Sequence, residues 1–229
     1  MAATDVDVQM MQSFDIAREN MIFSQLRPNG ISSPALIEAL KAVPREQFVP
    51  RHLQRIAYVD EDIDLGGGRY LAEPAVIARL LQALDIVLGD IVLDIGTGTG
   101  YSAALMAQMA ATVVAIEADA EMASEAERLL RDLDICNVAV VQQKVLPEGY
   151  ATQAPYHKIL INGSVAGVPD NILNQLADGG RLVAVISSKG HMGSAVLYTR
   201  SGDSFSKRVL FDAATPTLPG FAAPKSFEF

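Results

Sequence analysis

The sequence predicts an α/β domain built on a doubly wound, mostly parallel β-sheet, with a helical cap before it and an antiparallel hairpin at its end. Three observations predict this fold. Short apolar runs alternate with helical runs, a glycine-rich turn joins one such run to a helix, and two β-prone runs follow near the C-terminus. The 229 residues, half of them hydrophobic, can bury one sizeable core. We therefore expect a single domain, divided into a cap (1–72), a core (73–211) and a tail (212–229).

The cap is predicted to be partly helical and partly irregular. A first helix is expected over residues 13–23. A second is expected over residues 33–43, because a proline suits its first turn and its apolar residues share one face. Residues 44–69 show no periodic pattern, and they contain the turn-prone triplet GGG at positions 66–68.

The core begins with an amphipathic helix that Pro74 opens, and strands and helices then alternate. The predicted strands cover residues 91–95, 112–116, 138–141, 158–161 and 181–186. The predicted helices between them cover residues 101–109, 121–133 and 169–176. Short apolar strands separated by helices are typical of a parallel sheet covered on both faces.

The last part of the core has a different pattern. Residues 194–200 and 204–211 are two β-prone runs joined by SGD, which predicts a hairpin. An antiparallel pair is therefore expected to finish the sheet. Three prolines in residues 212–229 predict an extended or loop-like tail.

Composition narrows the class of function. The formal net charge is −9, and the 18 Lys and Arg residues are scattered, so a nucleic-acid partner is not expected. Cys136 is the only cysteine and the three histidines are isolated, so neither a disulfide nor a metal site is expected. No signal peptide and no apolar run long enough to span a membrane are found, and a cytoplasmic protein is predicted.

The strongest chemical signal is the sequence LDIGTGTGY at residues 93–101, between a predicted strand and a predicted helix. Glycines there allow a sharp turn and let a ligand approach the bare backbone. Glu117 ends the next strand, 19 positions after Gly98, where an acid can accept hydrogen bonds from both ribose hydroxyls of a nucleotide. The pair predicts a nucleoside site at the carboxyl ends of the strands.

These residues predict where a nucleotide would bind, but they do not by themselves identify the nucleotide. A dinucleotide fingerprint is met only loosely, by Gly98, Gly100 and Ala103, which leaves an NAD-type oxidoreductase as a remote alternative. A triphosphate loop is excluded because no Gly-Lys-Ser/Thr follows the turn. S-adenosylmethionine (SAM) has no phosphate, which suits a turn without a lysine or arginine.

Residues 93–101 resemble the SAM-binding motif of class I methyltransferases. Three other stretches are more specific, and resemble the protein-L-isoaspartate (D-aspartate) O-methyltransferase family. They are QLRPNGI at residues 25–31, AVPREQFVP at 42–50 and DGGRLV at 178–183. The resemblance extends from about residue 25 to residue 211.

This resemblance implies a Rossmann-like methyltransferase fold, SAM as cofactor, and transfer of its methyl group to isoaspartyl carboxylates in damaged proteins. A monomer or a homodimer is expected. A carboxylate is ionised at neutral pH, so catalysis can consist of positioning, and no catalytic residue is assigned. The positions implied in cofactor binding are Asp94, Gly96, Thr97, Gly98, Thr99, Gly100, Tyr101, Glu117, Lys144 and Val145.

Two departures from the family pattern fall on its ligand-facing positions. The substrate segment is expected at Gly67, Gly68, Arg69 and Ala72, where Ala72 replaces a hydroxyl residue of the family. Beyond residue 141 the family has Gly-Asp-Gly, whose acid lies near the adenine, whereas this chain has QQKV at 142–145, including Lys144. A non-catalytic or retargeted relative, with a different acceptor or partner, is therefore the alternative hypothesis.

Overall fold

The computed structural model describes residues 5–187 and 192–221, and its centre is a seven-stranded mixed sheet. In chain order the strands of the described residues are β1 (Ile63–Gly66), β2 (Arg69–Leu71), β3 (Ile91–Ile95), β4 (Thr112–Glu117), β5 (Val138–Gln142), β6 (Tyr156–Val165), β7 (Leu176–Ile186), β8 (Gly193–Ser201) and β9 (Ser204–Ala213). Strands β1 and β2 form a separate hairpin, and the large sheet has the order β5-β4-β3-β6-β7-β8-β9.

Strands β3 to β7 are parallel, and β8 and β9 are antiparallel, so the doubly wound sheet and its terminal hairpin are confirmed. The strand order reverses at β3, which pairs with β4 on one side and with β6 on the other. In open α/β sheets the crevice at such a reversal, beyond the carboxyl ends of the strands, is where ligands bind. The glycine-rich turn lies there.

The described helices are α1 (Asp5–Asn20), α2 (Pro34–Ala42), α3 (Pro74–Leu84), α4 (Tyr101–Ala107), α5 (Ala120–Asp132) and α6 (Asp170–Leu173). Side-chain caps fix two of the starts, because the Ser33 hydroxyl accepts from Leu36 N–H and the Asp119 carboxylate accepts from Met122 N–H at 2.9 Å. The prediction for residues 169–176 is too long. Helix α6 ends at Leu173 because Leu176 is buried and pairs with Tyr156 as the start of β7.

The cap contains more regular structure than the sequence predicts. Helix α1 begins earlier than residue 13 and continues into a π-helical turn over Met21–Leu26, whose Met21, Ile22 and Leu26 are buried. Two 3₁₀ helices, Arg45–Phe48 and Arg51–Ile56, and the hairpin β1–β2 lie in the region predicted to be irregular. These four elements are only three to six residues long, which is too short for a periodic pattern to be clear in the sequence.

Helix α3 packs on the sheet and shares one apolar core with the cap, since the side chains of Leu36, Phe48, Leu80 and Val92 belong to the same buried cluster. A second cluster covers the other face of the sheet and includes Leu218 from the tail. The tail therefore contributes to the core. Of the predicted features, His191 and residues 222–229 of the tail lie outside the described residues.

Candidate functional site

The glycine-rich turn connects β3 to α4, and apart from the half-buried Thr99 its residues are buried. Gly96, Gly98 and Gly100 have φ values of +80°, +59° and +96°, a region that L side chains rarely adopt. The Gly96 N–H donates to Ile116 O at 2.8 Å, which fixes the turn against β4. The turn thus has the geometry that the sequence predicts for close approach of a ligand.

Glu117, at the end of β4, is fully buried beside this turn. Its Oε2 accepts from Gly98 N at 2.7 Å and from Arg69 Nη2 at 2.8 Å. Its Oε1 accepts from Ala118 N at 2.8 Å and from Asp119 N at 3.2 Å. A carboxylate has about four acceptor sites, so these four protein donors saturate it.

Arg69 and Leu218 occupy the space above the turn. Arg69 Nη2 also donates to Gly96 O, and a Cβ built on Gly96 would lie 2.7 Å from both Arg69 Nη2 and Leu218 Cδ1. The opening that the glycine leaves is therefore filled by these two side chains. Both are buried, with 5% of Arg69 and 1% of Leu218 exposed.

The cavity that remains has a volume of about 10 Å³, enough for about one water molecule. Its lining includes Arg69, Ala72, Asn162, Gly163 and Leu218. Small-molecule sites usually measure about 300–1,000 Å³. The glycine backbone and the acid suit a nucleoside, but it can reach either of them only after Arg69 and Leu218 have moved.

Unpartnered polar atoms surround the same turn. Among the described residues, the buried atoms Asp94 Oδ1, Thr97 Oγ1 and Arg69 Nε have no hydrogen-bond partner. Such atoms are costly unless water or a ligand satisfies them. Their clustering at the turn is consistent with a polar ligand or ordered water at this place.

Asp94 is the buried acid beneath the turn. Its Oδ2 accepts from the Ser102 hydroxyl at 2.6 Å, and Asn162 Nδ2 donates to that hydroxyl oxygen at 3.0 Å. Burial raises the pKa of Asp94 to about 6, although the Ser102 hydrogen bond opposes the shift. The folded protein therefore holds this proton more tightly than the unfolded chain does.

The raised pKa of Asp94 predicts a specific pH dependence of stability. Its stabilising contribution is complete below about pH 4 and is lost as the pH rises through about 6. Relative to Asp94→Asn, the wild-type free energy of unfolding should fall by about 2 kcal/mol between pH 4.5 and pH 7. Urea unfolding across this range measures the difference. Asp203→Asn, on the exposed turn of the hairpin, is the matched control, and parallel curves for wild type and Asp94→Asn would contradict the prediction.

The other residues predicted to bind the cofactor occupy varied positions. The Thr99 hydroxyl donates to Phe48 O at 2.6 Å, which ties the turn to the cap. Tyr101 is buried, with its ring centroid 5.5 Å from that of Phe48. Lys144 and Val145 are exposed beyond the end of β5. Direct contact of these four residues with a cofactor stays a prediction.

The predicted substrate residues lie on and beside the β1–β2 hairpin. Gly67 and Gly68 form its turn, Arg69 begins β2, and Ala72 follows that strand with its side chain buried. A larger cavity of about 850 Å³ adjoins this hairpin and the turn, between the cap and α5, and Gly67 and Thr99 are among its lining residues. Neither Asp94 nor Glu117 lines it.

Sequence patterns did not single out Arg45, Asn162 or Leu218. Arg45 was only part of a family-like stretch, and it is fully buried, donating to Ala57 O and, at 2.8 Å, to Ala72 O. Leu218 lies in the proline-containing tail, where no local signal indicates a contact with β6. A buried arginine one residue after a proline gives no pattern that distinguishes it from an exposed one.

Two further findings concern the part of the chain that the structure describes. Within residues 5–187 and 192–221, no helix combines the length and apolar character needed to cross a bilayer. In the same ranges, no three His, Cys, Asp or Glu side chains are grouped so that they could hold a metal ion.

Sequence comparison gives consistent matches over most of the chain. The sequence model described as Protein-L-isoaspartate(D-aspartate) O-methyltransferase matches residues 17–213. The chain is 37% identical over 179 residues to a protein-L-isoaspartate O-methyltransferase of Methanospirillum hungatei, an alignment covering 78% of this chain and 82% of that relative. A relative of the same name from Koribacter versatilis is 38% identical over 178 residues, with 78% and 80% covered.

Structural comparison agrees. A solved protein-L-isoaspartate O-methyltransferase superposes with a TM-score of 0.77 at 26% identity, over 90% of this chain and 67% of the other. A Plasmodium falciparum structure in complex with S-adenosyl-L-homocysteine gives a TM-score of 0.74 at 18% identity, over 90% and 98%, and so supports the fold alone. The family suggested by the three sequence stretches is confirmed, and the chain belongs to the protein-L-isoaspartate (D-aspartate) O-methyltransferase family.

Proposed function

We propose that this protein is a SAM-dependent methyltransferase that acts on isoaspartyl carboxylates of damaged proteins. The observation that carries the proposal is a bare glycine turn with a buried acid beside it, at the point where the strand order reverses, in a member of this family. The backbone of Gly96 to Gly100 and the carboxylate of Glu117 would hold the nucleoside part of SAM. When bound, SAM supplies an activated methyl group on its sulfonium sulfur.

The chain's own residues then have to bind and orient the acceptor and keep water out. The acceptor carboxylate is already ionised at neutral pH, so no proton has to be removed from it. Arg69 is the single charged side chain described in the lining of the small cavity, and its guanidinium, once released from Glu117, is the group best suited to face that carboxylate. Gly67 and Gly68 form the turn of the β1–β2 hairpin, so this turn has no side chains next to Arg69.

Incubation with an isoaspartyl peptide and methyl-labelled SAM should give a base-labile methyl ester, and the aspartyl form of the same peptide is the control substrate. Ala72→Ser should raise the rate, because it restores a hydroxyl in the cavity lining, and a lost hydrogen bond of this kind is worth about 1–3 kcal/mol. Absence of ester while SAM is demonstrably bound would refute the proposed acceptor.

We also propose that the protein acts in the cytoplasm, as a monomer or a homodimer, without a nucleic-acid partner.

One observation favours a second candidate, a relative that has lost methyl transfer and recognises another partner. The space above the glycine turn is filled by Arg69 and Leu218, and the Glu117 carboxylate is fully engaged by protein donors. In such a relative, neither the wild type nor Ala72→Ser would form ester. The two candidates therefore differ in the response to the same substitution.

A further inference from the structure

We propose that Arg69 and residues 215–218 form an internal plug, which has to leave the crevice before SAM can bind. The inference rests on the proposed function, and it adds a regulatory step to it. The plug has two parts, one a cation that engages the acid and the other a segment of backbone with an apolar side chain. Arg69 occupies an acceptor site on the Glu117 carboxylate, and Leu218 occupies the space over the Gly96 backbone. A nucleoside would need both.

The first part acts on the acid. A nucleoside binds such an acid through its two ribose hydroxyls, which both require free acceptor sites on the carboxylate. Arg69 Nη2, at 2.8 Å from Oε2, completes the set of four donors on Glu117. The pair is buried, with 6% of the Arg69 side chain and none of the Glu117 side chain exposed. Release of Arg69 frees one acceptor site on Oε2, while the backbone N–H groups of Gly98, Ala118 and Asp119 keep the other three. This release therefore has to precede recognition of the first ribose hydroxyl.

The second part acts on the bare backbone. Residue Thr217 pairs with Ser164 at the end of β6 in a parallel bridge. Ser164 N donates to Pro216 O at 2.9 Å, and Leu218 N donates to Ser164 O at 2.8 Å. This pairing places the Leu218 side chain against Gly96 and Gly163, where built Cβ atoms would lie 2.7 Å and 3.0 Å from it.

The segment is held by few interactions, which makes it displaceable. Two backbone hydrogen bonds join it to β6, and Ser164 and Thr217 hydroxyls lie 3.4 Å apart. Thr217 and Pro219 are exposed, so Leu218 is the buried apolar anchor of residues 215–218, and Phe221 follows it in the same apolar cluster. If the open form is a minor population, the apparent dissociation constant for SAM is raised by the inverse of that population.

Calorimetric titration with SAM tests the plug through Leu218→Ala, with Leu88→Ala as the matched control because Leu88 is an exposed leucine that precedes the start of β3, whereas the glycine turn follows its end. Leu218→Ala should bind SAM at least about tenfold more tightly than wild type, since it removes the apolar anchor of the closed form. Leu88→Ala should match wild type. Arg69→Met is a second variant, which removes one of the four donors on Glu117 and should also bind SAM more tightly than wild type.

Hydrogen exchange gives a readout that needs no turnover. In the wild type, saturating SAM should accelerate exchange at the Leu218 and Ser164 amides at least about tenfold, because both hydrogen bonds break when the plug leaves. Equal SAM affinity in wild type and Leu218→Ala, with both amides still protected in the complex, would overturn the plug and leave the proposed function intact. Absence of SAM binding in all variants, with these amides exchanging freely in Leu218→Ala, would overturn both.

Discussion

Replacement of Arg45 by methionine is expected to lower the free energy of unfolding by about 3–5 kcal/mol, because the carbonyls of Ala57 and Ala72 lose a charged donor inside the core. Arg45 is fully buried, and its guanidinium carbon lies 5.0 Å from the centroid of the Tyr101 ring. Methionine retains much of the apolar stem, so the loss reports mainly on the hydrogen bonds. Urea unfolding followed by circular dichroism measures it.

The loss of stability should occur at the buried Arg45 and not at an exposed arginine. Arg208→Met, on the exposed face of β9, removes the same charge and should change the free energy of unfolding by at most about 0.5 kcal/mol. Arg45→Lys keeps a charge but not the planar fork, and it should fall between the two. A loss below about 1 kcal/mol in Arg45→Met would show that the two carbonyls find other donors.

Breaking the buried pair of Arg69 and Glu117 is the second prediction with a large expected effect. Glu117→Gln should cost about 3–5 kcal/mol, since it leaves the Arg69 guanidinium buried without a carboxylate. In the double variant Arg69→Met with Glu117→Gln, no charge is stranded. The double-mutant cycle should therefore show a coupling free energy of about 2–3 kcal/mol.

The exposed pair of Lys41 and Glu38, 2.8 Å apart on α2, is the control for this cycle. Solvent screens it, so its coupling should be at most about 0.5 kcal/mol. A coupling as small for Arg69 and Glu117 would mean that the two side chains are not paired in solution. Such a small coupling would also contradict the role of Arg69 in the plug, whatever the titrations with SAM show.

The alternation of strands and helices was predictable because it depends on local periodicity. Strand β3 begins and ends where the sequence predicts, and β4 and β5 are each one residue longer. Helix α6 and the hairpin β1–β2 were not predicted correctly. The end of α6 depends on the pairing of Leu176 with Tyr156 in another strand, and β1 and β2 are too short for a clear periodic pattern.

The candidate site also has one part that the sequence predicts and another part that depends on tertiary contacts. The glycine turn and Glu117 were predictable, because glycines after a strand and an acid about 20 residues later form a pattern in one dimension. The sequence predicts Arg69 among the substrate residues, and the structure pairs it with Glu117. Its contact with a substrate stays a prediction. No spacing rule relates positions 69 and 117.

By itself, the sequence determined the fold class, the family and the location of the glycine turn, since periodicity, turn chemistry and family-like stretches are all written along the chain. Only the tertiary structure decided that the crevice is closed. Arg69 comes from the hairpin, Glu117 from the sheet and Leu218 from the tail, and their contacts form only when chain segments distant in sequence pack together. The physical reason is that hydrogen bonding and close packing act over a few ångströms, whatever the separation along the chain.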